Sequence, residues 1–373
     1  MKTSLTGQRL AEIDGLRAIA VLAVVLYHYF QAYPQHYPYG AGLLPLAKYG
    51  DLGVALFFVI SGFVITLSLA GQPGLWRFAL KRLARLWPAL AVCSIITFAV
   101  VHSFDSGFSR EVQGGLSGFA ASWTFTSQRF WHSAFGFDGY VDVVYWTLAI
   151  EIRFYLLAAV ICWLAPAGRF EEVAPLVLLL MQSLFAAVQF AVPGLVPQVL
   201  IETLFLAYAH LFAAGITFAA VYGGARSKRQ AALIFWSFSV ALYRAEDWGE
   251  AVVLALIFLS VSACAWRLRA ASVLAWRPLA ALGVISYPVY LLHNYIGVTL
   301  LSLLSLLPPG LADAIYVLAA GLVLAGILLL SNAVHHLVEL PAQQAVRSLL
   351  ERRADRGREM LPAPGPQAAA KGL

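Results

Sequence analysis

The sequence predicts an all-α polytopic integral membrane protein of about ten transmembrane helices, on three observations. The 373 residues are 61% hydrophobic and 12% charged, against roughly a quarter charged in soluble domains, and the mean hydropathy is +0.78. The apolar residues fall in windows of the length a helix needs to cross a bilayer, about 17–25 residues. Lipid offers backbone N–H and C=O groups no partner, so such windows fold as helices unless a closed barrel forms.

The windows are 16–33, 52–70, 88–103, 144–165, 174–192, 199–222, 231–243, 250–266, 279–305 and 312–332. The first is longer than a signal-peptide core and contains Arg17 and His28, so it reads as a retained signal-anchor helix. The seventh is short for a span. The stretch Val112 to Phe125 is rich in Gly, Ser and Thr and reads as a re-entrant or interfacial segment.

The distribution of basic residues supports this number of spans. With ten, the N-terminus, the even-numbered connections and the C-terminus share one face. That face takes Lys2 and Arg9, the Arg77–Arg85 cluster, Arg169, Arg226 to Arg229, Arg267 to Arg277 and the tail arginines from Arg347 onward. The other face takes only Lys48, Arg110, Arg129 and Arg244. The positive-inside rule therefore predicts both termini on the cytoplasmic side. Counting 112–125 as an eleventh span would put Arg226 to Arg229 on the wrong side. Residues 1–345 form the membrane domain, and 346–373 a basic cytoplasmic tail that is partly disordered at its Pro-, Ala- and Gly-rich end.

The net charge of +6 and the pI near 9.2 follow from these flanking residues, so nucleic acid is not an expected partner. Cys93, Cys162 and Cys264 lie singly in apolar windows without CxxC spacing and read as small hydrophobes, with no disulfide or metal framework.

An ionisable group inside a membrane helix is costly and marks a candidate site. Arg17 and His28 are about 16 Å apart along one helix and about 20° from sharing a face. Asp14, one turn before Arg17, can hold its guanidinium. For Arg17 alone, snorkelling to head groups is an equal reading. His28 is either a hydrogen-bonded core histidine or an imidazole placed to take a proton from an alcohol. Glu202 and His210 share a face of the sixth window and read as a buried pair. His335 and His336 read as the end of the last span.

These residues resemble a known family, the membrane-bound acyltransferase 3 family. The opening Ile13-Asp14-Gly15-Leu16-Arg17-Ala18-Ile19-Ala20, with His28 further along, is similar to that family's first helix. Phe57-Phe58-Val59-Ile60-Ser61-Gly62-Phe63, Lys81-Arg82-Leu83-Ala84-Arg85-Leu86-Trp87-Pro88, Trp146-Thr147-Leu148-Ala149-Ile150-Glu151, Ser286-Tyr287-Pro288-Val289-Tyr290-Leu291-Leu292-His293 and Glu339-Leu340-Pro341 resemble five further blocks in the family's order. Ala55 stands where the family often has an acidic residue, and Ile152 where a second acidic residue is common.

The resemblance implies an O-acyltransferase moving an acyl group, acetyl foremost, from acyl-CoA as co-substrate to a carbohydrate or glycolipid hydroxyl, with no bound cofactor. It implies His28 as general base, with an acyl-histidine as the second mechanism. Arg82 and Arg85, one turn apart just before Pro88 opens the third span, would clamp the phosphates of CoA, or alternatively only anchor the helix. Glu151 would orient His28 or bind a sugar hydroxyl, or else pair with Arg153. Trp146 and Tyr290, with Trp123, Trp131 and Tyr140, would stack on sugar or act as interface anchors. Ser286 and His293, two turns apart, would line one cavity. The expected setting is a bacterial cytoplasmic membrane, with membrane lipids as partners. A transporter or flippase is the alternative, although no repeated half or paired broken helices favour it. A non-catalytic assembly factor would leave the Arg17–His28 alignment without purpose.

Overall fold

The computed structural model describes residues 10–37, 43–70, 74–137, 139–165, 168–308 and 310–359. Residues 360–373, where the end of the tail was expected to lose order, fall outside the described residues. The described chain is helical throughout, and no strand occurs among these residues.

The helices are α1 (Ala11–Phe30), α2 (Gly53–Ala70), α3 (Leu75–Ser103), α4 (Gly107–Val112), α5 (Gly118–Thr124), α6 (Gln128–Phe135), α7 (Trp146–Leu164) and α8 (Phe170–Ala191). They are followed by α9 (Gln198–Thr203), α10 (Ala209–Tyr222), α11 (Lys228–Tyr243), α12 (Trp248–Ala265), α13 (Arg277–Val284), α14 (Ser286–Ser302), α15 (Leu311–Val334) and α16 (Leu340–Glu359). Eight stretches among the described residues are long and apolar enough to cross a membrane: α1, α2 with the turn before it, α3, α7, α8, α12, α14, and α15 run on into α16. This is an integral membrane protein.

The two remaining expected spans give helices of fewer than 18 residues. The window 199–222 breaks at Phe205, whose φ is +42°. This leaves the six-residue α9 and the 14-residue α10, about 21 Å long. Helix α11 has 16 residues, about 24 Å. Val112 to Phe125 does not span: it gives the end of α4 and then α5, with α4 closed at its start by a reciprocal Ser106–Ser109 capping box.

Two other boundaries move. Pro88 does not open the third span, because α3 begins at Leu75 and carries Arg82 and Arg85 within one continuous helix. His335 and His336 do not end the last span. A π-helical turn, His335–Glu339, joins α15 to α16, so residue 345 falls within a helix described as far as Glu359. Inside the π-turn, His335 Nδ1 and Glu339 Oε2 are 2.7 Å apart and both side chains are buried.

The helices form two layers. The most apolar windows of α1, the α2 stretch and α14 are 61%, 67% and 67% buried, whereas those of α8 and the α15–α16 stretch are 28% and 22% buried. The outer helices turn Leu184, Phe190, Leu322 and Leu329 outward, as lipid-facing helices do. The inner ones meet backbone to backbone. A Cβ on Gly62 would lie 2.4 Å from Phe212 O, and one on Gly215 2.0 Å from Val59 O, so these glycines set the α2–α10 crossing. Gly15 and Gly283 do the same between the start of α1 and the α13 region, bringing Arg17 beside the entry to α14.

Candidate active site

Helix α1 carries Asp14 and Arg17 near its start and His28 in its last turn. Arg17 donates to Asp14 Oδ1 at 3.2 Å, and the carboxylate is buried. This pairing, expected from the one-turn spacing, holds the guanidinium at the wall of a cavity lined by α1, α2, α3, α7 and α14.

Arg17, Arg82, Arg85, Glu151, Ser286 and Tyr290 all line this cavity. Arg82 donates to Ser68 Oγ, and its guanidinium lies 5.4 Å from the ring of Phe78 and 5.7 Å from that of Tyr155. Arg85 lines the same wall one turn on. Glu151 accepts from Ser61 Oγ at 2.9 Å and from Tyr155 Oη. Its hydrogen bonds thus go to neither His28 nor Arg153. Arg153 points to the other side of α7 and donates to the Glu202 carbonyl at 2.8 Å. Three guanidinium groups facing one carboxylate, with apolar walls from Val54, Phe57, Ile60 and Val64, suit an anionic ligand with an apolar part.

Beyond Tyr290 lies a histidine pair. The ring of Tyr290 is 5.5 Å from that of His293, and His293 Nε2 is 3.2 Å from His28 Nδ1. The network assigns the tautomers. His293 Nδ1 faces the Tyr290 carbonyl at 2.8 Å, which can only accept, so in the neutral ring this nitrogen carries the proton. His293 Nε2 is then an acceptor. His28 Nδ1 faces it and also the Val24 carbonyl at 2.9 Å, so the His28 proton sits on Nδ1. The lone pair of His28 Nε2 is left free to take a proton. Ser286 and His293 therefore differ in position: the serine lines the cavity and donates to Gly283 O at 2.8 Å, and the histidine supports His28.

A buried carboxylate that the sequence reading missed holds the turn carrying His293. Asp142 accepts from Asn294 Nδ2 at 2.8 Å, Tyr295 N at 2.9 Å and Val144 N at 3.2 Å. Tyr145 Oη donates to the Leu291 carbonyl at 3.1 Å, so side chains hold both ends of the Leu291–Tyr295 turn. Tyr33 Oη reaches Asn294 Oδ1 at 3.1 Å. Burial pushes the Asp142 carboxyl up, to about 7, against the pull of its donors. The sequence signal was a lone carboxylate in Tyr140-Val141-Asp142-Val143-Val144, directly before the Trp146 block.

Trp146 faces away from this site. It lines a second cavity with Tyr140, Tyr208, Arg129, Arg153 and Glu202. Of the expected aromatic surface, only Trp146 and Tyr140 meet there. Trp123 donates to Ser94 Oγ at 2.8 Å and packs on Trp87, and Trp131 stacks on Phe137. Glu202 and His210 do not pair, because the break at Phe205 takes them off a common face. Glu202 binds Arg129 at 3.1 Å and Ser127 Oγ at 2.9 Å, while His210 uses Gln182 Oε1, 3.0 Å from its Nδ1.

The family model described as an acyltransferase domain matches residues 10–332. Over 158 residues the chain is 35% identical to a peptidoglycan O-acetyltransferase of Listeria monocytogenes, covering 39% of this chain and 23% of that protein. It is 30% identical over 156 residues to an O-acetyltransferase of Staphylococcus aureus, covering 39% and 23%, and 32% identical over 158 residues to a putative peptidoglycan O-acetyltransferase of Bacillus subtilis, covering 39% and 22%. The match thus spans less than a quarter of these relatives' length. No solved structure matches. With the model match running from the start of α1 into α15 and taking in both the arginine cavity and the histidine pair, the chain belongs to the membrane-bound acyltransferase 3 family.

Proposed function

We propose that this protein is a membrane O-acetyltransferase that moves an acetyl group from acetyl-CoA to a hydroxyl of a carbohydrate or glycolipid. The observation that carries the reading is the cavity lined by Arg17, Arg82 and Arg85, with Arg17 paired to Asp14 and Glu151 the carboxylate in the lining, and with Tyr290 in its wall beside the His293–His28 pair. CoA is polyanionic, and guanidinium groups bind phosphate with paired, charge-assisted hydrogen bonds. Arg17 and His28 lie about 16 Å apart along α1, a span suited to the pantetheine arm.

In this reading His28 Nε2 takes the proton of the acceptor hydroxyl as its oxygen attacks the thioester carbonyl. The C–O bond forms, the C–S bond breaks, and the sulfur of CoA leaves and receives the proton from His28. His293 keeps His28 in the Nδ1–H tautomer throughout, and Asp142 keeps His293 in place. The basic residues at the termini and in the Arg77–Arg85 cluster favour, by the positive-inside rule, an arginine end of the cavity on the cytoplasmic side, where acyl-CoA is found.

Membranes with equal amounts of wild type, His28→Ala and Arg85→Gln, supplied with radiolabelled acetyl-CoA, test the reading. Label should enter a glycan fraction with wild type, stay at background with His28→Ala, and enter more slowly with Arg85→Gln at low acetyl-CoA. Acetyl-CoA left untouched by wild type would refute the donor assignment. An acyl-histidine route would instead leave label on the protein after a quench without acceptor.

A further inference from the structure

The second cavity lies across α7 from the arginine cavity. Thr147, Leu148, Glu151 and Tyr155 face the arginine cavity, and Trp146, Ala149, Ile150 and Arg153 face the second one. The two share a wall at Phe58, which lines the first cavity and lies 6.5 Å from Trp146 and 5.1 Å from Tyr208, ring to ring.

The lining has two parts. Trp146 and Tyr208, with ring centroids 5.6 Å apart and planes 38° apart, offer aromatic faces to the C–H side of a pyranose ring. Around them stand hydroxyl-binding groups: the amides Gln128 and Gln198, the Tyr140 side chain, and Glu202. The charges in this lining do not cancel. Glu202 is engaged by Arg129 at 3.1 Å and by Ser127 at 2.9 Å, whereas the hydrogen bond that Arg153 makes goes to a backbone carbonyl, which is neutral. Arg153 is partly buried in the first turns of a membrane helix, where an uncompensated guanidinium is costly. Such a group recovers that cost when an anion binds beside it.

We propose that this cavity is the acceptor subsite and that it selects an anionic saccharide, its sugar ring against Trp146 and Tyr208 and its carboxylate or phosphate on Arg153. The proposal rests on the acetyltransferase reading for the word acceptor, and the binding itself does not depend on it. Held there, the non-reacting part of the acceptor supplies binding energy away from the reacting hydroxyl.

The test is direct binding to the purified full-length protein in lipid nanodiscs, with no acetyl-CoA present. The probes are N-acetylmuramic acid, N-acetylglucosamine 1-phosphate and N-acetylglucosamine. One or both charged sugars should bind wild type at least about tenfold more tightly than the neutral one, and their comparison shows whether carboxylate or phosphate is preferred. Arg153→Gln should remove this preference, and Arg153→Lys, which keeps the charge, should retain most of it. Arg85→Gln, in the other cavity, should leave saccharide binding unchanged. Equal affinity of wild type for all three sugars overturns the proposal, as does an unaltered preference in Arg153→Gln. Failure of acetyl transfer with sugar binding intact would count against the acetyltransferase reading and not against this subsite.

Discussion

The two faces of α7 differ in chemistry although they belong to the same few turns. On one side, Arg17, held by Asp14, joins Arg82, Arg85 and Glu151 among aliphatic side chains, which suits a ligand with a polyanionic end and an apolar arm. On the other, aromatic rings, amides and a paired carboxylate surround one arginine whose partner is a neutral carbonyl, which suits a sugar with one negative charge. A helix buried on two faces can separate two substrates while holding both near the same catalytic group. In the proposed mechanism that group is His28, on neither face of α7 but beside α14, whose residues Ser286 and Tyr290 line the arginine cavity.

Substitutions should separate these roles. His28→Ala should remove the base and cut acetyl transfer by about 10²- to 10⁴-fold while leaving both ligands bound, read by transfer rate alongside acetyl-CoA binding. Arg85→Gln should raise the KM for acetyl-CoA with little change in that for acceptor, a loss of about 1.5–3 kcal/mol for one charged hydrogen bond. Gly62→Ala should disturb both cavities together, since its new methyl would meet the Phe212 carbonyl and part α2 from α10. About 1–3 kcal/mol of overpacking should appear as a lower melting temperature. His293→Ala should slow turnover by freeing the His28 ring, and His293→Gln, which keeps an acceptor, should recover part of the rate. Ser61→Ala should be mildest, about 0.5–1.5 kcal/mol, because Glu151 keeps its bond from Tyr155.

The fold class was legible because hydropathy at spanning length records the solvent directly, and so were the residues whose presence in a membrane is costly: Arg17, His28, Arg82, Arg85 and Glu151. Their company was not. Ser61 and Glu151 are 90 residues apart in sequence, Asn294 and Asp142 are 152 apart, and His28 and His293 are 265 apart. Only helix packing joins such pairs, and no periodicity encodes it. Trp146 and Tyr290, grouped in the sequence as one aromatic surface, line different cavities: Thr147 faces the arginine cavity with Tyr290, and adjacent helical residues point about 100° apart. The Glu202–His210 pairing failed because it assumed an unbroken helix, while the chain turns through a positive φ at Phe205.

The proposed mechanism requires acetyl-CoA held in the arginine cavity to reach His28. The most direct measurement is the rate of radiolabelled acetyl transfer from acetyl-CoA into membrane glycans as a function of acetyl-CoA concentration, for wild type, His28→Ala and Arg85→Gln in equally expressed membranes. Wild type should show saturable transfer, His28→Ala none above background, and Arg85→Gln a shifted half-saturation that high acetyl-CoA overcomes. Undiminished transfer by His28→Ala, or an Arg85→Gln curve that overlays wild type, would contradict the mechanism.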